Sequence, residues 1–179
     1  MIKKFELDLS SKITILGVEL FRIKALISFG NVEKGELGGY VEKEDNLSHY
    51  GNAWVYGNAW VSGDAEVSGD ARVYGNAWVY GNAWVYGNAW VYGNAEVSGD
   101  ARVYGNAEVS KLNDYILFKN TWSSGRYFTY TKSNEMWKVG CFYGTGEELI
   151  KKAYEDSEVS GKHYEAYVNF VKTLEALDN

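Results

Sequence analysis

From Gly51 to Ser110 the chain runs through ten consecutive hexads of the form Gly-(Asn/Asp)-Ala-x-Val-(Tyr/Ser). Alternation along an extended segment sends Ala and Val to one side, and the variable x residue and the Tyr or Ser to the other. Gly-Asn and Gly-Asp tolerate positive φ and supply corners. A flat meander of four-residue strands and two-residue turns would use this pattern, but it would leave an Ala/Val face open along its length. A solenoid of three short strands per coil buries both rows in its own interior, and a narrow interior explains why only small side chains point inward. The solenoid is therefore the expected fold.

With three hexads per coil, the outward side chains stack at intervals of eighteen residues. One column reads Trp54, Arg72, Trp90, Glu108; a second reads Glu42, Trp60, Trp78, Glu96; a third reads Ser48, Glu66, Trp84, Arg102. Arg72 is expected between two indoles and Arg102 above Trp84, as cation–π pairs. Tyr50, Ser68, Tyr86 and Tyr104 form a further column near one corner. Every hexad preceded by Ser62, Ser68 or Ser98 carries Asp at its second place, whereas those preceded by Tyr carry Asn. Either a local Ser–Asp hydrogen bond or duplication of two hexad types accounts for that coupling.

A stack of near-identical coils has open edges and must be capped. Residues 1–38 read as a β cap: "KITILGVELFRIKALISFG" alternates and is rich in Ile, Leu and Phe. The solenoid is expected to span 39–110, with Val41 and Leu47 in phase with Ala53, making about four coils. Residues 111–179 read as an α+β unit. "DYILFKNTW", "RYFTYTKS" and "EMWKVGCFYGT" are its three strands, with Ser133-Asn134 at a hairpin turn. A first helix opens with Thr145 and Glu148 as a capping box. A second follows Ser160-Gly161, with Tyr164, Val168, Val171 and Leu174 at helical spacing.

Charge narrows the function. The net charge is −6, and the repeats hold two basic against six acidic residues, which argues against plain phosphate-backbone binding to nucleic acid. Proline is absent, so Gly, Asn and Asp must make the turns. A lone cysteine, Cys141, excludes an internal disulfide and fits a reducing compartment. It lies in a predicted strand and is expected to be a buried, inert thiol. "MIKKFELDLSSK" lacks the apolar segment of a secretory signal, and no run is long enough to span a bilayer; a cytoplasmic protein is expected.

The stretch "VYGNAW" from Val55 to Trp60 resembles the hexapeptide repeat of left-handed parallel β-helix proteins, except that Tyr or Ser fills the second position. The left hand is implied by that resemblance alone, since the usual crossover rule favours the right. The segment "FRIKALISFGNVEKGELGGYVEKEDNLSHYGNAWVYGNA" resembles the leader of hexapeptide-repeat proteins of prophages and bacteria, some of them described as polymer-forming. "KVGCFYGTGEELIKKAYEDSEVSGKHYEA" resembles a C-terminal module of similar prophage proteins. These resemblances imply a bacterial host cytosol.

Many left-handed β-helix proteins are acyltransferases that use a His as general base beside an inserted loop. Here only His49 and His163 are present and the repeats carry no insertion, so no catalytic residue is assigned. A zinc hydratase of this fold needs three His ligands, and no metal or other cofactor is expected. "GTGEEL" lacks the Lys of a phosphate loop and reads as a helix cap. What is left is the aromatic surface. It either stiffens the rod by internal stacking or serves as a contact face, since Trp, Tyr and Arg dominate interface hot spots. Trp54, Trp60, Trp78, Trp84, Trp90, Arg72, Arg102, Tyr86 and Tyr104 are the candidate contacts, either with a host protein or within a homo-oligomer, a dimer or trimer. The expectation is a non-enzymatic binding module of phage type, for example an inhibitor of a defence system such as CRISPR-Cas; a self-assembling structural protein is the alternative.

Overall fold

The computed structural model describes residues 2–177. An antiparallel hairpin of β1 (Phe5–Ile15) and β2 (Val18–Ala25) opens the chain, and β3 (Leu37–Val41) pairs with β2. The hexads give two-residue strands: β4 (Trp54–Val55), β5 (Trp60–Val61), β6 (Glu66–Val67), β7 (Arg72–Val73), β8 (Trp78–Val79), β9 (Trp84–Val85), β10 (Trp90–Val91), β11 (Glu96–Val97), β12 (Arg102–Val103) and β13 (Glu108–Val109). They pair in parallel with the third strand onward, so the chain winds into a β-solenoid with three flanks. One flank runs β1-β2-β3-β5-β8-β11, the second β13-β10-β7-β4 and the third β12-β9-β6.

The interior is what the repeat dictates. Every hexad Ala and Val is buried, from Ala53 to Val109. Corners are made by the hexad glycines, all at φ between 62° and 75°. Two constraints meet there. The left-handed backbone disfavours a side chain, and a Cβ on Gly69 would come within 3.0 Å of the Gly87 backbone in the next coil. Asn and Asp beside these glycines form a second ladder along the edge, with Asn52 Nδ2 donating to Asp70 and Asn82 Nδ2 to Asp100. Asp64 instead pairs with Lys43. The Ser–Asp coupling is thus not a local turn bond: the Asp carboxylates look to neighbouring coils.

The first coil departs from the expected register. Val41 lies opposite Val61 and Leu47 opposite Val67, an offset of 20 residues, whereas Trp54 lies opposite Arg72. Val41 and Leu47 therefore continue the valine rows rather than the alanine row. Tyr40, not Glu42, heads the column of Trp60 and Trp78. Ser48 N–H donates to Val67 O as Ser68 N–H does to Val85 O, so Ser48, not Tyr50, belongs with Ser68, Tyr86 and Tyr104. The two additional residues sit in the corner around His49 and Tyr50. Aliphatic side chains fill the wide valine rows better than the alanine row, and the corner absorbs the difference.

Capping follows the polarity of the backbone. Apart from bonds between paired strand residues, each coil donates its N–H groups to the next, as Trp54 does to Ala71 and Trp60 to Ala77. The first coil consequently needs donors for its carbonyls. Buried Lys4 supplies Nζ to Gly51 O at 3.3 Å and Ala53 O at 2.9 Å. Buried Asn46 supplies Nδ2 to Gly63 O at 3.0 Å and Ala65 O at 2.8 Å. The last coil needs acceptors, and side-chain hydroxyls provide them: Tyr115 for Ser98 N–H, Thr129 for Arg102 N–H at 2.9 Å and Ser133 for Glu108 N–H at 2.7 Å.

Those hydroxyls come from the C-terminal unit, whose sheet has four strands: β14 (Tyr115–Lys119), β15 (Tyr127–Thr131), β16 (Met136–Val139) and β17 (Phe142–Gly144). By its apolar pattern the segment of the last two reads as one strand. Gly140, at φ 55°, breaks the segment into a hairpin, and Cys141 sits exposed in its turn rather than buried in a strand. The opposite face of this sheet packs Phe128, Tyr130 and Trp137 against α1 (Gly146–Asp156) and α2 (Glu158–Leu177). Thr145 and Glu148 form the capping box of α1 as expected. The second helix starts at Glu158 and runs through Ser160-Gly161, because the missing side chain of Gly161 admits the Tyr154 ring; a Cβ there would lie 2.3 Å from Tyr154 Cδ1.

Two outcomes are expected. Thr129→Val removes the acceptor for Arg102 N–H in a buried position and should lower stability by about 1–3 kcal/mol in urea unfolding. Burial pushes the Lys4 amine down to about 8 from 10.5, with Asp70 opposing. The folded chain thus binds fewer protons here than the unfolded chain between those values. The stability of the wild type relative to Lys4→Met should rise as pH goes from about 8 to 10.5 and be flat below.

Candidate functional site

The outward columns are the feature that the fold positions and does not consume. On the second flank Trp54, Arg72, Trp90 and Glu108 lie in register, as the spacing requires. The Arg72 guanidinium stands 5.6 Å from the Trp90 ring. It does not form the two-sided sandwich expected, because Trp54 is turned into the N-terminal cap, its ring 6.2 Å from Phe5 and 5.3 Å from Phe29. On the first flank Trp60 stacks on Trp78 at 4.9 Å. On the third, Arg102 lies 4.8 Å over Trp84, as expected.

Exposure grades along the columns. Trp54 and Trp60 are 0% and 4% exposed, whereas Trp84 and Trp90 are 43% and 38% exposed. The expectation that all the indoles face solvent therefore fails at the first coil, where the chain covers its own aromatic ladder. The indole N–H groups of Trp54 and Trp60 find no acceptor there, so this cover is apolar contact without hydrogen bonding.

Tyrosines line the corners between these columns. Tyr74 stacks on Tyr92 at 5.1 Å and 6°, and Tyr86 on Tyr104 at 4.3 Å. The latter column continues into the C-terminal unit, where Tyr143 meets Tyr104 edge-on at 4.6 Å. Burial pushes the Tyr86 phenol up to about 12, against the pull of nearby Arg102. Tyr80 and Tyr92 donate to Glu96 and Glu108 of the next coil, which ties the acidic x residues into the ladder.

Both histidines have structural partners. His49 accepts from Lys4 N–H through Nδ1 at 3.3 Å, stacks 4.3 Å from Phe5 and lies 3.8 Å from Glu44. It belongs to the widened first corner, a two-residue insertion that the sequence reading overlooked because the hexad count continued through it. His163 stacks on Trp122 at 4.4 Å and 13°. Sequence reasoning also missed Lys4, Asn46 and Thr129, whose roles depend on which backbone groups the coils leave unpaired. No local pattern marks them.

A family model described as the YdcK beta solenoid repeat matches residues 65–81 and 79–93. Both segments lie inside the solenoid and include Arg72, Trp78, Trp84 and Trp90. The chain is thus a β-solenoid repeat protein, a fold suited to structural or binding roles. No curated protein matches the chain. Among the described residues, no helix is long and apolar enough to cross a membrane.

Exposure should translate into stability. Trp54→Ala should cost about 3–5 kcal/mol, while Trp84→Ala should change the unfolding free energy by about 1 kcal/mol or less. Equal losses in denaturant titrations would contradict the covered-versus-bare assignment.

Proposed function

We propose that this chain is a non-catalytic binding module. Its solenoid is a rigid spine, and Trp84, Trp90, Arg72 and Arg102, with the Tyr86–Tyr104 column, contact a protein partner. The observation that carries this reading is the contrast within one ladder. Where the chain's own N-terminal segment is present, Trp54 is fully covered; two coils on, the equivalent Trp90 is bare, as is Trp84 on the third flank. Large exposed aromatics beside arginine are the composition of interface hot spots, and such patches on folded chains mark contact surfaces. The engagement of His49 and His163 in packing supports the absence of catalysis.

The capping of both ends supports a binder over an end-to-end polymer, since the outer backbone groups of the stack are already paired. Side-by-side pairing of flanks into a dimer or trimer is the form of self-association that this geometry favours. The C-terminal unit offers a second contact surface. A narrower role, blocking a bacterial defence system from within the host cytosol, rests on the prophage-like leader and C-terminal segment and on the net charge of −6.

The test is cross-linking and affinity capture from a bacterial host lysate, with the Trp84→Ala/Trp90→Ala double variant alongside. The wild type should retain a discrete partner that the double variant loses by tenfold or more, with circular dichroism unchanged. Equal recovery by both, or a wild type that retains nothing, overturns the reading; the partner's identity decides the narrower role.

A further inference from the structure

A cleft of about 290 Å³ lies where the third flank of the solenoid meets the C-terminal sheet, lined by Asn82, Asp100, Arg102, Arg126, Tyr127 and Gly140. Three parts of the chain converge on it. Asn82 and Asp100 are equivalent corners one coil apart, and Arg102 is on β12. The β14–β15 connection brings Arg126, the start of β15 brings Tyr127, and the β16–β17 turn brings Gly140. Thr129 fixes the junction by accepting from Arg102 N–H, so the cleft is built from paired backbone and not from a loose loop.

Its charge is unusual for this molecule. The repeats contain only Arg72 and Arg102 against six acidic residues, and the whole chain carries −6. Yet Arg102 and Arg126 both line this cleft, and Lys138, opposite Thr129 in the sheet, points to the same side with Nζ 5.2 Å from the Tyr104 ring. Among the described residues, none of these three cations has a carboxylate within ion-pair distance. Asp100 faces the cleft, and its carboxylate accepts from Asn82 Nδ2 at 3.2 Å. The Lys138 ammonium is disfavoured first by burial and then by the charge of Arg102, and Asp100 is the one carboxylate among the residues lining the cleft. Holding like charges together in a partly desolvated site is unfavourable, and a bound anion reverses the sign of that term.

The side chains also suit a particular anion. Arg102 lies against Trp84 and so presents its guanidinium from a supported position. Two planar guanidinium forks match the oxygens of a phosphate group better than a lone carboxylate. Tyr127 adds a part-exposed ring at the rim, with Lys119 Nζ 5.3 Å from its centre. The volume is near the lower end of small-molecule sites.

We propose that this cleft binds a small phosphorylated molecule carrying a planar ring, with Arg102 and Arg126 on the phosphate and Tyr127 against the ring. The site shares Arg102 with the protein-contact face, but Arg126 and Tyr127 belong to neither aromatic column of that face, so variants at those two residues test it separately. Calorimetry with inorganic phosphate and with adenosine monophosphate as probes, at low salt, tests it. Both should bind the wild type, the nucleotide more tightly. Arg126→Gln should weaken both at least tenfold, and Tyr127→Ala should weaken the nucleotide several-fold more than phosphate. Lys34→Gln makes the same change of charge in the N-terminal segment, away from the cleft, and should leave both affinities unchanged. Arg126 is exposed and holds no side-chain contact in the core, so the variant folds. Absence of heat with both probes, or an equal loss in Lys34→Gln, overturns the proposal.

Discussion

Apart from the bonds between paired strand residues, the backbone hydrogen bonds between coils point the same way along the solenoid, and the caps answer to that polarity. Those forward-facing N–H groups leave carbonyls to be satisfied at one end and N–H groups at the other. An unpaired buried backbone group costs free energy comparable to a lost hydrogen bond. The N-terminal cap therefore brings donors, the Lys4 ammonium and the Asn46 amide, each bridging two carbonyls. The C-terminal cap brings acceptors, the hydroxyls of Thr129, Ser133 and Tyr115. Lys4 could not serve at the other end. A lysine has no acceptor to offer the last coil.

The repeat itself was legible because one short pattern fixes both rows of the interior and the corners. Small inward residues and Gly-Asn corners leave a three-sided coil as the way to bury both rows, and the stacked columns follow by arithmetic from Trp54 onward. Legibility ended at the first coil, where counting in sixes continued through a corner that holds two additional residues. Counting in sixes puts Leu47 in phase with Ala53, and only its pairing opposite Val67 places it in the valine row. The caps were legible as strands but not as caps, since nothing in "IKKFE" says that Lys4 will be turned inward. In the C-terminal unit, the turn at Gly140-Cys141 was hidden in an otherwise apolar run that reads as one strand.

The aromatic columns illustrate how one sequence feature takes two physical roles. At Trp54 the indole is core, held by Phe5 and Phe29. At Trp84 and Trp90 the same position is surface, steadied from one side by an arginine. Nothing in the hexad distinguishes the two cases, because the difference lies in what the ends of the chain do. The candidate contact face was therefore visible as a list of residues, while its extent depended on where the cover stops.

The one-way caps also set rules for how such a protein can change its length. Positions recur every eighteen residues, as in the pairing of Trp90 with Glu108. Duplication of three hexads would slide the C-terminal unit along the axis and present it with the same three flanks, so Thr129 would meet an equivalent amide. Duplication of one hexad would instead rotate that unit by a third of a turn and set its hydroxyls against the wrong flank. Genetic growth of this rod is thereby quantised in whole turns, and relatives of different length should differ by multiples of one circuit.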